Sequence, residues 1–280
     1  KADEDKMSVG IRNMCEEDHT IRLDKNAETH EQVLYGMGDQ HIDLILSKLK
    51  SKYKVDVTTS VPTVQYRETI RGKAEAQGKY KKQNGGAGQY GDVWVRFEPC
   101  DSEEMVFAEE VFGGAVPKQY FPPTEQGLRD CMQHGPLAGF KVVGVKATLY
   151  DGSYHPVDSK EVAFKEAARL AYNAAMPKAN PVLLEPICKV TTIAPEEYTG
   201  TLMGDFTKRR GLILDMQMNE DGDQVISAEV PMAEMLTYAN ELRSMTQGRG
   251  TYTLEFDRYQ AAPKEVADKV IAAQKAKNQK

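Results

Sequence analysis

The chain has 280 residues, 40% hydrophobic and 28% charged, a composition ordinary for folded protein and too long for one small core, so two or three domains are expected. The net charge of −6 excludes an overall basic field that would draw the chain to nucleic acid, so any RNA contact must come from local geometry. Four widely spaced cysteines, Cys15, Cys100, Cys131 and Cys188, form no CxxC pair and no disulfide framework, which predicts no metal site and a reducing cytoplasmic home. No apolar run approaches the roughly 20 residues that span a bilayer, and the charged start Lys1–Lys6, without an initiator Met, reads as a processed or excised fragment and not as a signal peptide.

The first segment reads helix, hairpin, helix, strand. Asp5 to Glu17 forms the first helix. Ile21 and Leu23 alternate with polar residues, Asp24–Asn26 turns, and Val33 and Tyr35 return. Ile42, Ile45, Leu46, Leu49 and Tyr53 make one apolar helical stripe. Val55 and Val57 begin a strand running toward Pro62. A middle domain follows: strand, glycine-rich turn, strand, loop, then a helix over Thr124–Gln133 and β-rich sequence over Val142–Leu149. The loop Tyr150–Val157 leads into a helix over Ser159–Ala175, whose start is set by a capping box of Asp158 with Glu161.

From about Leu183 the pattern is strand (Ile187–Ile193), helix (Glu196–Lys208, stopping at Gly211), and hairpin (Leu212–Met218 with Val225–Val230 across Asn219–Gly222). A helix (Met232–Met245) and a strand through Tyr252, Leu254 and Phe256 complete it. This βαββαβ order is the ferredoxin-like split βαβ pattern. The first segment repeats it without an opening strand, so the fragment is expected to begin one strand late, with an unfilled sheet edge. Ala262–Lys280 is a Lys-rich, helix-prone tail.

Two motifs invite enzymatic readings. Gly86, Gly88 and Gly91 match G-x-G-x-x-G, but Asp92–Phe97 after them reads as a strand, which removes the dinucleotide fold. The kinase form also requires H-R-D and D-F-G, which the chain lacks. Ser153, His155 and Asp158 offer the residue types of a hydrolytic triad, but one short loop seldom supplies a nucleophile–base contact, an orienting contact and an oxyanion hole together. No G-x-x-x-x-G-K-[ST] occurs, so no P-loop phosphate cradle is present. His41, beside an apolar stripe, reads as a packing histidine.

A set of segments taken together is more specific than any of these. Tyr66–Ile70, Gly85–Gly91, Gly135–Gly139, Leu149–His155, Pro181–Pro186 and Arg243–Gly250 occur in the order in which similar segments occur in elongation factor G, and the sequence resembles that family along nearly its whole length. The resemblance implies an α+β chain of three domains, two ferredoxin-like domains flanking a ribosomal-protein-like α+β domain. Residues 1–66 resemble the third domain, 67–180 the fourth, an elongated arm with a decoding-site tip, and 181–262 the fifth; residues 263–280 are the tail. The GTPase domain and its GTP and magnesium would lie outside this chain, which would then hold no cofactor and no enzymatic activity of its own.

The resemblance also implies a role in translation: moving transfer RNA and messenger RNA through the ribosome, as a cytoplasmic monomer with no membrane association. Its implied partners are the ribosome, the tRNA–mRNA pair in the decoding site and ribosomal RNA of the large subunit. The contact residues implied at the tip are Lys81, Lys82, Gly85, Gly86, Ala87, Gly88, Gln89, Tyr90, Ser153, Tyr154, His155 and Pro156, with Lys208, Arg209 and Arg210 in the fifth domain. The residues themselves suit such a use. Glycines let backbone approach phosphates, Tyr90, Tyr154 and His155 offer stacking faces, and Lys79, Lys81 and Lys82 adjoin them; turn residues beside solvated lysines would look the same. Most family sequences carry Arg where this chain has Ala87, and often an acidic residue where it has Pro156. Losing that Arg removes a charge-assisted phosphate contact and suggests a second-copy paralogue, with ribosome recycling or protection as its alternative role. A stand-alone RNA-binding protein is the reading outside the family.

Overall fold

The computed structural model describes residues 2–26, 31–83 and 88–278. The chain forms two compact units, one of residues 1–65 with 186–258 and the other of residues 66–185 with 259–280.

The chain opens with α1 (Ala2–Glu17), the short hairpin β1 (Arg22–Lys25) and β2 (Gln32–Tyr35), and α2 (Asp39–Tyr53). Ile11, Met14, Ile21, Ile45 and Leu49 are buried together, which is the helical stripe read from sequence closing on α1. His41 is a packing residue: its Nδ1 accepts the Met37 N–H at 3.1 Å, and its Nε2 lies 3.2 Å from Asp18 Oδ2. The strand expected from Val55 does not form. Lys54 takes a left-handed conformation and Val55 N–H returns to the Leu49 carbonyl, closing α2. Farther on, Thr63 gives both its N–H and its hydroxyl to the Glu31 carboxylate, so side-chain bonds satisfy a backbone that a ladder would otherwise use.

The middle of the chain contains β3 (Arg67–Ile70), β4 (Ala74–Lys82), β5 (Gln89–Pro99), β6 (Val106–Glu109), α3 (Phe121–Cys131), β7 (Val145–Ser153) and α4 (Glu161–Ala175). The sheet order is β4-β5-β7-β6, antiparallel except for the parallel pair β6–β7. Two helices cover one face, and α4 approaches closely because its inward side is Ala163, Ala167, Ala168, Ala171 and Ala175, all fully buried. The strands meet it with glycine: a Cβ on Gly78 would lie 1.8 Å from the Ala167 carbonyl oxygen, and one on Gly91 would lie 2.4 Å from that of Ala163. Phe97, Leu149, Leu128 and Phe164 fill the space between.

Two boundaries here differ from the sequence reading. β7 runs on through Ser153, where a loop was expected from Tyr150. The capping box does not form: α4 starts at Glu161 after Lys160, with no side-chain cap, because Asp158 is bonded elsewhere.

The base of this unit is tied twice. β3 pairs antiparallel with the first residues of β8 (Pro181–Pro195), Arg67 opposite Leu184 and Ile70 opposite Pro181, so the segments entering and leaving the middle domain form a ladder and not free linkers. The fully buried Glu68 carboxylate accepts the N–H groups of Leu137, Ala138 and Phe140 at 2.8–3.1 Å. Three of the segments that carry the family resemblance therefore meet at one place.

Beyond β8 come α5 (Thr199–Lys208), β9 (Leu212–Met218), β10 (Asp223–Pro231), α6 (Tyr238–Met245), β11 (Thr251–Ala261) and α7 (Lys264–Asn278). Strand order β11-β8-β10-β9 with helices after β8 and β10 is the ferredoxin-like arrangement. The turn Asn219–Gly222 forms as read: Asn219 Oδ1 accepts the N–H groups of Asp221 and Asp223, and Gly222 sits at φ 83°. The helix expected over Met232–Met245 is a 3₁₀ turn at Met232–Glu234 followed by α6. Its core gathers Val190, Leu202, Phe206, Ile226, Val230, Tyr238 and Leu242. Among the described residues, no helix is long and apolar enough to cross a membrane.

Candidate functional site

At one end of the middle domain, the β4–β5 hairpin and the loop after β7 come together. Tyr90 and Ser159 form a parallel bridge. Tyr90 N–H donates to the Asp158 carbonyl at 2.9 Å, and Gly88 N–H donates to Asp158 Oδ1 at 3.0 Å. Ser159 Oγ donates to the Tyr90 carbonyl at 3.0 Å and accepts the His155 N–H at 2.9 Å. Two loops about 70 residues apart in sequence are thus held as one structure by backbone and short side chains.

His155 is fixed within it. Its Nδ1 accepts the N–H groups of Val157 at 3.3 Å and Asp158 at 3.1 Å. With that lone pair in use, the ring hydrogen belongs on Nε2. The 3.4 Å separation of Nδ1 from Asp158 Oδ2 is therefore proximity and not an ion pair in this tautomer. The side chain is 52% exposed, beside Tyr154, Pro156 and the 73% exposed Val157. The Tyr90 ring lies 6.4 Å from that of His155, with Lys79 Nζ 5.6 Å from its centroid. Lys81, Lys82 and Lys160 are exposed around this surface. It offers outward donors, cations and aromatic faces, the chemistry that meets phosphates and bases.

The triad reading fails on connectivity. Ser153 Oγ donates to Asp92 Oδ2 at 2.7 Å and pairs with the Tyr90 hydroxyl at 2.7 Å, so its proton is directed away from His155. The glycine motif also finds another cause. Gly91 admits α4, a Cβ on Gly88 would meet the Asp158 carboxylate at 2.9 Å, and β5 follows as a strand.

Of the sequence-derived tip residues, Lys81, Lys82, Gly88, Gln89, Tyr90, Ser153, Tyr154, His155 and Pro156 are brought to this end; Gly85, Gly86 and Ala87 lie outside the described residues. Lys208, Arg209 and Arg210 lie in the other unit and separate by role. Lys208 is exposed at the end of α5. Arg209 is 6% exposed and bonds Asp205 Oδ2 at 2.7 Å, Glu241 Oε2 at 2.6 Å and the Glu234 carbonyl, with its guanidinium over the Tyr238 ring. It is an internal tie and presents no face to a partner. Arg210, half-buried at φ 61°, bonds Glu234 at 3.2 Å.

Sequence reading missed Asp92, Gln77 and Ser159, which organise the tip from beneath. Asp92 had a signal: an acidic residue inside a strand, out of phase with the buried Val93, Val95 and Phe97.

Family comparison covers the chain almost end to end. The model for elongation factor G domain III matches residues 1–61, that for elongation factor G domain IV residues 62–180, and that for the elongation factor G C-terminus residues 182–270. The chain belongs to the elongation factor G family. A crystal structure of a protein from Thermus thermophilus is similar over 99% of this chain, at 44% identity and a TM-score of 0.89, and this chain spans 41% of that protein's length. In elongation factor G terms, the tip is part of domain IV, and Lys208–Arg210 lie in the C-terminal segment.

Proposed function

We propose that this chain is the ribosome-binding portion of an elongation factor G-type translation factor, and that its tip enters the decoding site as transfer RNA and messenger RNA are translocated. The observation that carries this reading is the joined tip, with His155 Nε2, Tyr154 and three lysines directed outward from a hydrogen-bonded platform. The action is mechanical. The tip takes over contacts that hold the codon–anticodon helix and then obstructs its return. Lys208, with Arg210 beside it, rests on large-subunit ribosomal RNA, while Arg209 shapes that surface from within. GTP and magnesium act in a GTPase domain that these residues do not supply, and the chain works as a cytoplasmic monomer.

A recycling or rescue paralogue is the second reading, favoured by Pro156 at the exposed tip, where the family resemblance leads to the expectation of an acidic residue. One experiment separates the two. The chain is joined to the amino-terminal GTPase half of a family member, and ribosome-stimulated GTP hydrolysis and tRNA movement are followed together. Translocation expects both. Hydrolysis without movement turns the assignment to recycling or rescue, and no ribosome association by the joined protein or by the chain alone overturns both.

A further inference from the structure

Beneath the tip lies a hydrogen-bond chain whose direction can be assigned. Asp92 is 5% exposed, on β5. Its Oδ1 accepts Gln77 Nε2 at 2.8 Å, and its Oδ2 accepts the Ser153 hydroxyl at 2.7 Å. A carboxylate accepts only, so the single Ser153 proton points to Asp92. Ser153 Oγ then serves as acceptor for the Tyr90 hydroxyl at 2.7 Å. Tyr90 is in turn the residue whose N–H and carbonyl close the two loops on Asp158 and Ser159. The phenol is thereby held at both its ends, with Lys79 over its ring and His155 beside it.

We infer that Asp92 is a positioning residue for the tip, setting the orientation of Tyr90 through Ser153 and so the pose in which Tyr90, His155 and Lys79 meet RNA. The inference rests on the proposed RNA contact for its consequence, but not for its mechanism. Hydrogen bonds to charged groups are the stronger ones, and a buried carboxylate with a directed donor on each oxygen leaves this chain one arrangement. Asp92 itself lies below the surface that RNA would touch.

The test uses the whole chain as wild type and as Asp92→Ala, Asp92→Asn, Tyr90→Phe and the double variant Asp92→Ala/Tyr90→Phe. Two readouts are taken: amide hydrogen exchange, and association with purified ribosomes at fixed salt. In Asp92→Ala the Gly88 and Tyr90 amides exchange about tenfold faster, while the Val95 and Phe97 amides keep their protection, so the effect is local. Ribosome association weakens by about tenfold in each single alanine or phenylalanine variant, and the double variant is no worse than either, because both break one chain. Asp92→Asn keeps an acceptor for Ser153 once the Gln77 amide turns over, and recovers to within about threefold of wild type. Additive losses, or unchanged exchange at Gly88 and Tyr90 in Asp92→Ala, overturn the inference. If wild type alone fails to bind ribosomes, association is measured with the chain joined to the GTPase half; if that also fails to bind, the proposed function falls, and exchange alone decides the inference: local loosening upholds it and its absence refutes it.

Discussion

Lys208, Arg209 and Arg210 are adjacent and alike in sequence, yet their surroundings assign them different work. Arg209 carries its charge inward to Asp205, whose side chain is only 9% exposed, so removing the guanidinium strands a buried carboxylate. Arg209→Ala is expected to lower unfolding free energy by about 3 kcal/mol, whereas Lys208→Ala stays within about 0.5 kcal/mol of wild type and instead weakens ribosome association. Chemical denaturation and sedimentation of the two variants check this division. One local signal separates them: Arg209 alone has an acidic residue four positions earlier, Asp205, while its bonds to Glu234 and Glu241 come from the 3₁₀ turn before α6 and from α6 itself, which no local pattern announces. His155 is a similar case. Its residue type was legible, but its tautomer follows from two backbone N–H groups that only the folded loop delivers.

At the scale of elements, local reading located α2 by its apolar stripe and the hairpin β9–β10 by its Asn219–Gly222 turn, since neither needs distant information. It failed where a local signal met a competing long-range partner. Asp158 has the spacing of a helix cap, but Gly88 N–H reaches its carboxylate first, and α4 begins without it. The strand from Val55 has suitable residues but finds no ladder, and Glu31 takes the Thr63 N–H. The strand glycines Gly78 and Gly91 are the contact surface for α4. Gly78→Ala must push α4 off a backbone oxygen 1.8 Å from the new Cβ and is expected to cost about 2–3 kcal/mol. Gly204→Ala, inside α5 with open space around its Cβ, is expected to gain about 0.5–1 kcal/mol. Thermal melts of the two variants, moving in opposite directions, test this.

For the whole molecule, the resemblance to elongation factor G read from sequence segments holds, and the fold shows where most of those segments lie. Tyr66–Ile70, Gly135–Gly139 and Pro181–Pro186 build the base of the middle domain, while Leu149–His155 and the described part of Gly85–Gly91 build its tip. The segments near Ile70 and Ala179 that bound the middle domain are paired: Arg71 N–H bonds the Asn180 carbonyl and Gly72 N–H that of Ala179. Ladder pairing joins residues more than 100 apart, which is why no local pattern announced it. Burial also sets a pH limit. The Cys188 thiol is pushed up to about 11 by burial, and so is that of Cys131. Once the pH passes the ordinary thiol value of 9.0, an unfolded chain releases protons that the fold retains. Stability is therefore full below that value and declines as pH rises toward 11. Urea unfolding across this range should show the decline, and Cys188→Ala should reduce it while leaving the share that Cys131 contributes.

The most direct measurement is single-round mRNA translocation by this chain joined to a family GTPase half, comparing wild type with His155→Ala and with the Lys81→Ala/Lys82→Ala pair, while GTP hydrolysis is followed in the same reactions. A tip that acts on RNA in the decoding site predicts movement slowed by about tenfold or more with hydrolysis unchanged, as expected for loss of contacts made during movement. Wild-type movement in both variants would contradict a working role for the tip.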